Sequence, residues 1–387
     1  MCNESRPNAS GIVLAGVHRW GESEFERLLP RPLLPVAESP LICYALRWLR
    51  DGGVVSATVC ANSESHFVRH LLKDGSDYGL DIRYFEDLTP RGPAGCVRDA
   101  GLWGARGDLI VTDGCVIPTL NLSELLAEHR RTAAAITVVV EPRNGMDPFR
   151  EAMPRATGIF VFSPRALEAV PPTGYQDIKE LLIPALHKSG ERVLIYHAEG
   201  ECLRVTDVDS YMAANEWMIE RIAAGEVRLP EYRLDGSVGV GCDVRVADDA
   251  RLIGPILMGP RTRVGPGATI VGPTVLGADC VIEERALVSR SVVWDRCRIG
   301  TAARIDECIL ATGSVIDSGE RIQCTLHTRD LDRAWSPGTD ARRGDAARPM
   351  SGTRPGPGGA PGGQTGTARA APVQPTRPDV PVATEGI

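Results

Sequence analysis

A six-residue hydrophobic period between Val240 and Val288 constrains the fold more than any other feature of the sequence. Stepping by six reaches only aliphatic residues or methionine, at Val240, Val246, Leu252, Met258, Val264, Ile270, Leu276, Ile282 and Val288. The residues four places further on are small or β-branched: Val244, Ala250, Ile256, Thr262, Ala268, Thr274, Cys280, Ala286 and Val292. A triangular parallel β-helix requires this pattern, because each hexad forms one short face around a narrow interior.

The repeat continues with small irregularities and resembles the left-handed hexapeptide-repeat helix. The phase slips by one after Trp294, resumes at Ile299 and Ile305, and slips again to Leu310. We therefore predict a left-handed parallel β-helix over residues 238–325. Many hexapeptide-repeat proteins are acyltransferases that use a histidine between coils. No histidine occurs from Ala198 through Leu326, so the repeat lacks the general base for that chemistry.

The region before the repeat alternates apolar strands such as GIVLAG and DLIVTDG with amphipathic helices such as PLICYALRWLRDGG and LSELLAEHRR. This order predicts an α/β fold with a Rossmann-like, open and mostly parallel sheet over residues 11–225. In such sheets ligands bind beyond the carboxyl ends of the strands. We expect a linker at 226–237, a disordered N-terminus at 1–10, and a disordered tail at 336–387, which contains 9 Pro and 10 Gly.

Charge and hydropathy exclude two classes of partner. The net charge is −7, from 50 acidic and 43 basic residues, which offers no basic field for a nucleic acid. The longest apolar stretch, residues 133–140, is too short to cross a bilayer, and the first ten residues do not show the basic stretch followed by an apolar run that is typical of a signal peptide. We therefore expect a cytoplasmic protein that binds neither nucleic acid nor membrane.

Seven segments follow one another before and between the regions described above: GIVLAG (11–16), PRPLLPVAESPLICYALRWL (30–49), GPAG (92–95), DLIVTDGCV with LSELLAEHR (108–130), TGIFVFSPRAL (157–167), DIKELLIPAL (177–186) and DSYMAANEWMI (209–219). In this order they resemble the sugar-1-phosphate nucleotidyltransferases (NDP-sugar pyrophosphorylases), in particular the mannose-1-phosphate guanylyltransferase-like members, which carry a C-terminal left-handed β-helix. The resemblance spans about Gly11 to Thr325.

The resemblance implies a reaction and a set of site residues. The family condenses a nucleoside triphosphate with a sugar 1-phosphate, using Mg²⁺, to give a nucleotide sugar and pyrophosphate. Catalysis of this kind depends mostly on positioning and charge neutralisation. The implied nucleotide-binding residues are Leu14, Ala15, Gly16, Gly92, Gly95 and Asp113, and the implied sugar-binding residue is Gly158.

The phosphate-binding parts of that pattern are altered. The family's G-x-G-T-R-L turn is replaced by VHRWGESEFERLL after Gly16, which places Glu22, Glu24 and Glu26 where phosphate would bind. Arg31 replaces the lysine of a P-K-P motif and is the remaining candidate catalytic cation. The segment from Glu141 to Ala156 is too short for the family's sugar-contacting hairpin, and it contains no lysine.

The metal-binding positions are altered as well. Cys115 stands where the family has a magnesium-binding aspartate, and a thiol is a poor ligand for this hard cation. Asp113 lies two residues earlier and is one candidate metal ligand. The second family carboxylate matches Arg204 without a gap, or Asp207 after a small shift. Asp113 and Asp207 are therefore the candidate ligands for Mg²⁺ if the protein is active.

Two functions stay open from the sequence. One is a degenerate homologue with weak or no pyrophosphorylase activity that binds a nucleoside triphosphate or nucleotide sugar in a regulatory role. The alternative is an active sugar-1-phosphate nucleotidyltransferase with an atypical site. Because an open-ended β-helix leaves edges and apolar faces uncovered, we also expect a homo-oligomer, or a hetero-oligomer with an active paralogue. The less charged stretch Val271–Leu276 is the predicted contact.

Overall fold

A computed structural model of the chain describes residues 8–16, 29–61, 65–87, 90–102, 107–141, 155–198 and 202–328. Contacts between α-carbons divide the chain into a unit from Met1 to Ser336 and a second unit from Pro337 to Ile387. The second unit, which contains most of the predicted disordered tail, lies outside the described residues, as does most of the predicted N-terminal segment. No helix within the described ranges is long and apolar enough to span a membrane.

The first part of the chain forms the expected open α/β sheet. Its strands, in spatial order, are β10-β8-β9-β6-β1-β4-β5, and all neighbours are parallel except that β9 runs antiparallel to β6 and β8. Their bounds are β1 (Ala9–Leu14), β4 (Ser56–Ala61), β5 (Asp81–Glu86), β6 (Asp108–Asp113), β8 (Ile136–Val140), β9 (Ala156–Phe162) and β10 (Val193–His197). Short antiparallel pairs flank the sheet: β2 (Pro35–Val36) with β3 (Ser39–Pro40), and β7 (Val116–Ile117) with β11 (Leu203–Arg204).

Helices cover both faces of this sheet, as the apolar strands require. The helices are α1 (Leu41–Asp51), α2 (Ser65–Leu72), α3 (Gly92–Gly101), α4 (Leu122–Arg131), α5 (Pro164–Glu168), α6 (Ile183–Lys188) and α7 (Val208–Ala223). One buried cluster joins the strands to α1, α2 and α4, and a second joins them to α3, α5 and α6. A single turn of 3₁₀-helix, Arg31–Leu33, and a π-helical turn, Ile178–Leu182, precede α1 and α6 respectively.

The second part of the chain is a parallel β-helix, as the hexads predict. Each coil contributes one strand to each of three sheets. The first sheet contains β12 (Arg233–Asp235), β13 (Val238–Val240), β16 (Ile256–Met258), β19 (Thr274–Leu276), β22 (Val292–Val293), β25 (Ile309–Leu310) and β28 (Leu326–His327). The second contains β14 (Arg245–Val246), β17 (Arg263–Val264), β20 (Val281–Ile282), β23 (Arg298–Ile299) and β26 (Val315–Ile316). The third contains β15 (Arg251–Ile253), β18 (Thr269–Val271), β21 (Leu287–Ser289), β24 (Arg304–Asp306) and β27 (Arg321–Gln323). The strand β12 lies inside the predicted linker and pairs antiparallel with β13.

The predicted small slots point into the β-helix. Thr262, Ala268, Thr274, Cys280 and Ala286 are all at most 1% exposed. The phase slip, however, lies one corner earlier than predicted. Coils pair 18 residues apart up to Val271 with Ser289, and 17 residues apart from Val275 with Val292 onward. Val292, expected inside the coil, instead belongs to a cluster on the outer surface of the first sheet.

That outer surface packs against α7. Leu257, Val275, Val292 and Ile309 align in register across the first sheet and share a buried cluster with Tyr211, Met218 and Ile222 of α7. Val275 is only 3% exposed. The stretch Val271–Leu276, predicted as an intersubunit contact, is therefore partly covered within the chain itself, because an apolar outer stripe and an apolar helix face bury one another.

The β2–β3 hairpin also contacts the β-helix. Its tip residues Ala37 and Glu38 have φ values of 43° and 70°. The backbone N–H of Ala37 donates to Asn215 Oδ1 of α7 at 3.0 Å, and the Tyr232 hydroxyl donates to Glu38 Oε2 at 2.6 Å. Burial raises the pKa of Glu38 to about 7, although the Tyr232 hydrogen bond opposes this and Asp295 adds to it. The hairpin therefore places a carboxyl group with a perturbed pKa against the β-helix.

Candidate functional site

The candidate site lies where strands β1 and β6 end side by side. Leu14 and Asp113 are the paired terminal residues of these parallel strands. The Ala15 N–H donates to the Cys60 carbonyl at 2.7 Å, and the Gly114 N–H donates to the Leu14 carbonyl at 2.9 Å. In the sheet, β4 and β5 lie on one side of β1, and β6, which follows them in the chain, lies on the other side of β1. This change of direction is the place where open α/β sheets form a ligand-binding crevice.

Leu14 ends β1, and Ala15 and Gly16 follow it directly, at the edge where β6 also ends. Gly16 follows β1, and a Cβ atom built on it would meet no atom within 4 Å among the described residues other than its chain neighbours. The loop that follows, residues 17–28, contains the replaced phosphate-binding turn and lies outside the described residues. The shortened sugar segment, residues 142–154, lies outside them too.

Asp113 is engaged at both of its carboxylate oxygens. Arg204 Nη2 donates to Oδ2 at 2.7 Å, and the backbone N–H of Cys115 donates to Oδ1 at 3.0 Å. The Asp113 side chain is 9% exposed and the Arg204 side chain is 35% exposed. A buried carboxylate is thus neutralised by a guanidinium that still reaches the surface.

Arg204 is brought to Asp113 by a short strand. Strand β11 pairs antiparallel with β7, so that Arg204 lies opposite Val116, directly beyond the end of β6. Gly158 of β9 leaves room for the pair: its φ is +95°, and a Cβ there would lie 3.2 Å from Asp113 Cβ and 3.7 Å from Arg204 Nε. Gly158, predicted to contact sugar, therefore lies against this ion pair.

Cys115 takes no part as an anion. Its side chain is 2% exposed. Burial, and then the negative charge of Asp113, raise the pKa of the Cys115 thiol well above its usual value. A neutral buried thiol is not a ligand for a hard cation.

Asp207 is the N-terminal cap of α7. Its Oδ1 accepts from the Ser210 N–H at 2.8 Å, and the Ser210 hydroxyl in turn accepts from the Asp207 N–H at 3.0 Å, which completes a capping box. Hydrogen bonds from the side chain and the backbone N–H of Ser210 to the carboxylate lower the pKa of Asp207, and the positive charge of Arg31 adds to this. The carboxylate that the sequence offered as a metal ligand thus stabilises a helix terminus.

Arg31 lies in the 3₁₀ turn and is 8% exposed. Pro32, the next residue of that turn, lies against the end of β6, because a Cβ built on Gly114 would be 3.4 Å from Pro32 Cβ. The positive charge of Arg31 opposes the rise in the pKa of Cys115 and helps to lower the pKa of Asp207. The structure therefore brings two arginines, Arg31 and Arg204, to the edge where β6 ends.

The donor set at this edge does not fit Mg²⁺. Magnesium requires several oxygen ligands in near-octahedral geometry. Here Asp113 is already bound by a guanidinium and a backbone N–H, and Asp207 caps a helix. Across the described ranges, no group of three or more His, Cys, Asp or Glu side chains is placed to hold a metal ion.

Gly92 of GPAG is covered by another segment of the chain, and Gly95 lies against the side chain of the neighbouring Arg91. Gly92 begins α3 with φ +81°, and a Cβ there would lie 2.5 Å from the Gln176 carbonyl oxygen. The Ala94 N–H donates to the same carbonyl at 3.0 Å. A Cβ on Gly95 would lie 2.8 Å from Arg91 Cβ. The close approach that Gly92 permits is made by Gln176, which no sequence motif indicated.

The comparisons with known proteins agree with this architecture. The Nucleotidyl transferase family model matches residues 26–149, and the model described as GMPPB C-terminal domain matches residues 252–331.

Among the relatives, a UTP--glucose-1-phosphate uridylyltransferase of Synechocystis is 26% identical over 75% of this chain and 85% of its own length. A glucose-1-phosphate thymidylyltransferase of Streptomyces antibioticus is 24% identical over 83% of this chain and 92% of its own length. A mannose-1-phosphate guanylyltransferase of Mycobacterium tuberculosis is 24% identical over 42% of this chain and 51% of its own length. The chain thus carries one segment that matches the nucleotidyl transferase family and a later segment that matches the GMPPB C-terminal domain, and the proteins it is similar to are sugar-1-phosphate nucleotidyltransferases, mannose-1-phosphate guanylyltransferases among them.

Proposed function

We propose that this protein is a nucleotidyltransferase homologue with weak or no pyrophosphorylase activity that binds a nucleoside triphosphate or nucleotide sugar in the cytoplasm and acts as a regulator. The observation that carries the proposal is the saturation of Asp113 by Arg204 and the Cys115 N–H. The reaction of the family requires a cation to neutralise charge on the phosphates as it develops. Among the described residues, no open carboxylate lies at the end of β6 to hold that cation.

The covering of Gly92 by Gln176 supports the low-turnover part of the proposal. The Gln176 carbonyl accepts the Ala94 N–H, so this backbone donor is already used inside the protein. What persists is the edge where β1 and β6 end side by side, with Arg204 bound to Asp113 and Arg31 in the 3₁₀ turn nearby. Such an edge favours binding of an anionic ligand over turnover.

Turnover measurements test the proposal. The full-length protein is incubated with nucleoside triphosphates, a panel of sugar 1-phosphates and Mg²⁺, and pyrophosphate release is followed. We expect release no faster than in a protein-free control. Robust release that Arg31→Ala abolishes, and that the surface variant Arg131→Ala leaves intact, would show an active enzyme instead.

A regulatory role also requires a partner, and we propose a homo-oligomer or a hetero-oligomer with an active paralogue. Light scattering of the full-length protein and pull-down with an active nucleotidyltransferase test this. A monomer at micromolar concentration that recovers no such partner contradicts it.

The alternative is an active transferase that uses Arg31 for phosphate and Asp113 for metal. The burial of Arg31 beside the strand ends is the observation in its favour. On this alternative Asp113→Asn abolishes turnover while the fold persists, since only the charge changes. An unchanged rate in that variant excludes Asp113 as the metal ligand.

A further inference from the structure

We infer that the guanidinium of Arg204 takes the place of a divalent cation, so that this site binds nucleotide phosphates without metal. The inference rests on the proposed binding function and names the form in which the ligand binds. It follows from the charge and the geometry of the Arg204–Asp113 pair, described above, rather than from either residue alone.

The charges are equivalent to those of a metal site. Two carboxylates that hold a divalent cation sum to zero, and so do one carboxylate and one guanidinium. Asp113 provides the carboxylate and Arg204 the guanidinium, with their nearest atoms 2.7 Å apart. The crevice therefore keeps the electrostatic balance that a metal would give it, with the positive charge now fixed to the chain.

The exposure of the two side chains directs that charge outward. Asp113 is 9% exposed, whereas Arg204 is 35% exposed. A guanidinium carries five N–H donors in a planar fork. Among the described residues Arg204 uses one nitrogen, Nη2, to bind Asp113. The fork shape suits two oxygens of one phosphate, a geometry that a lysine ammonium cannot reproduce.

The surrounding chain holds the guanidinium in place. The β7–β11 pairing fixes the Arg204 backbone, and the Cys115 N–H fixes the Asp113 carboxylate that anchors it. Gly158 provides the space beside both side chains, because any Cβ there would approach Asp113 Cβ to 3.2 Å. An arginine held this way loses little side-chain freedom when it binds a phosphate.

The Arg204–Asp113 pair also disfavours binding of a divalent cation at Asp113. A divalent cation would have to displace Arg204 from Asp113 and would then lie next to two positive charges, Arg204 and Arg31. Added Mg²⁺ instead binds the free nucleotide and neutralises the phosphates that Arg204 recognises. We therefore expect metal to leave the affinity unchanged or to weaken it.

Calorimetric titration of the full-length protein with GTP, UTP, dTTP and ATP, each with EDTA or with excess Mg²⁺, tests the inference. For the nucleotide that binds, we expect a Kd in EDTA at least as low as in Mg²⁺. Arg204→Gln should raise the Kd in EDTA at least tenfold, the equivalent of one charge-assisted hydrogen bond. Arg204→Lys should recover only part of the loss, and the surface variant Arg131→Gln should bind as the wild type does.

Two further variants separate binding from folding. Asp113→Asn combined with Arg204→Gln removes both charges together and avoids a buried unpaired carboxylate; it should fold, as judged by its melting temperature, and bind weakly with or without Mg²⁺. Arg204→Asp places two carboxylates together and should make nucleotide binding depend on Mg²⁺.

The outcomes distinguish this inference from the proposed function. Wild-type binding that requires Mg²⁺, or an Arg204→Gln variant that binds as well as the wild type, overturns the inference while the low-turnover proposal stands. A wild type that binds none of the four nucleotides in either condition, and none of the corresponding nucleotide sugars, overturns the inference and the binding role together. Robust pyrophosphate release overturns the proposed function separately.

Discussion

The interior of the β-helix and the edge of the α/β sheet are built from different kinds of contact. In the β-helix, a residue contacts its equivalent one coil away: the Cys280 N–H donates to Thr262 Oγ1, 18 positions earlier, and the Cys308 N–H donates to Ser291 Oγ, 17 positions earlier. At the sheet edge, Arg204 and Asp113 are 91 positions apart, and both are charged. The β-helix repeats the same type of contact from coil to coil, whereas the sheet edge depends on one contact between residues far apart in the sequence.

The two kinds of contact serve different purposes: those in the β-helix stabilise the fold, and the ion pair at the sheet edge positions a charged group. Repeated uncharged contacts add up along the β-helix, and each coil buries the next. A single ion pair contributes little net stability, because removing two charges from water costs about as much as their attraction returns. Its value lies in fixing a charged group at a crevice. The four predictions below test this separation.

The largest expected effect lies inside the β-helix. Leu276 is fully buried and pairs with Met258 and Val293 in the neighbouring coils. Leu276→Ala leaves a cavity and should lower the free energy of unfolding by about 2–5 kcal/mol in urea titrations. The matched control is Leu234→Ala, at a leucine that is 44% exposed, which should change it by less than about 1 kcal/mol. Equal effects of the two variants would contradict a packed coil interior.

The next effect concerns the hairpin between the two regions. The pKa of Glu38 is raised from 4.5 to about 7, chiefly by burial. Because the native state holds this proton more tightly than the unfolded state does, its stabilising effect is complete below pH 4.5 and is lost as the pH rises to about 7. The loss amounts to at most about 3 kcal/mol.

Glu38→Gln tests this pH dependence. It should remove that part of the decline in melting temperature between pH 4.5 and 8, and it retains an oxygen that can accept from the Tyr232 hydroxyl. The surface variant Glu231→Gln, at the neighbour of Tyr232, should keep the wild-type profile. If the wild type and Glu38→Gln have parallel profiles, Glu38 does not titrate in this range.

Sequence patterns predicted the elements of both regions but not the contacts that join them. The hexads predicted the buried slots of Thr262 and Cys280, since a narrow interior admits few residue types. The position of the phase slip was wrong because Val292, Val293 and Trp294 are all apolar, and only the apolar face of α7 determines that Val292 and Trp294 point outward.

At the sheet edge, the order of strands and helices was sufficient to place Leu14 and Asp113 at the same crevice. The sequence also aligned Arg204 with a metal-binding position. It carried no sign that Arg204 would bind Asp113, because an ion pair between positions far apart depends on the register of β11 on β7. The covering of Gly92 by Gln176 depends in the same way on a loop between α5 and α6. Local patterns determine elements, and these single long-range contacts determine the chemistry.

A third prediction uses the unequal exposure of the ion pair. Arg204→Gln leaves the buried Asp113 carboxylate without its charge partner and should cost about 1–3 kcal/mol of unfolding free energy. Asp113→Asn should cost less, because Arg204 can still reach water. A double-mutant cycle of the two substitutions measures their coupling, and additive effects would show that the pair does not interact energetically.

The smallest effect distinguishes a helix cap from a metal ligand at Asp207. Asparagine caps helices as well as aspartate does, whereas alanine cannot accept the Ser210 N–H. Asp207→Ala should therefore lower the unfolding free energy by about 1 kcal/mol, and Asp207→Asn should leave it nearly unchanged. Asp209→Ala, in the first turn of the same helix, is the control for loss of a carboxylate near the helix N-terminus.

A metal ligand would behave differently, because the amide of asparagine binds Mg²⁺ far more weakly than a carboxylate. Melting temperatures of the wild type and Asp207→Asn, each with EDTA and with Mg²⁺, therefore decide between the roles. Stabilisation of the wild type by Mg²⁺ that Asp207→Asn abolishes would assign Asp207 to a metal site; equal curves in all four conditions, with a loss only in Asp207→Ala, would assign it to the helix terminus.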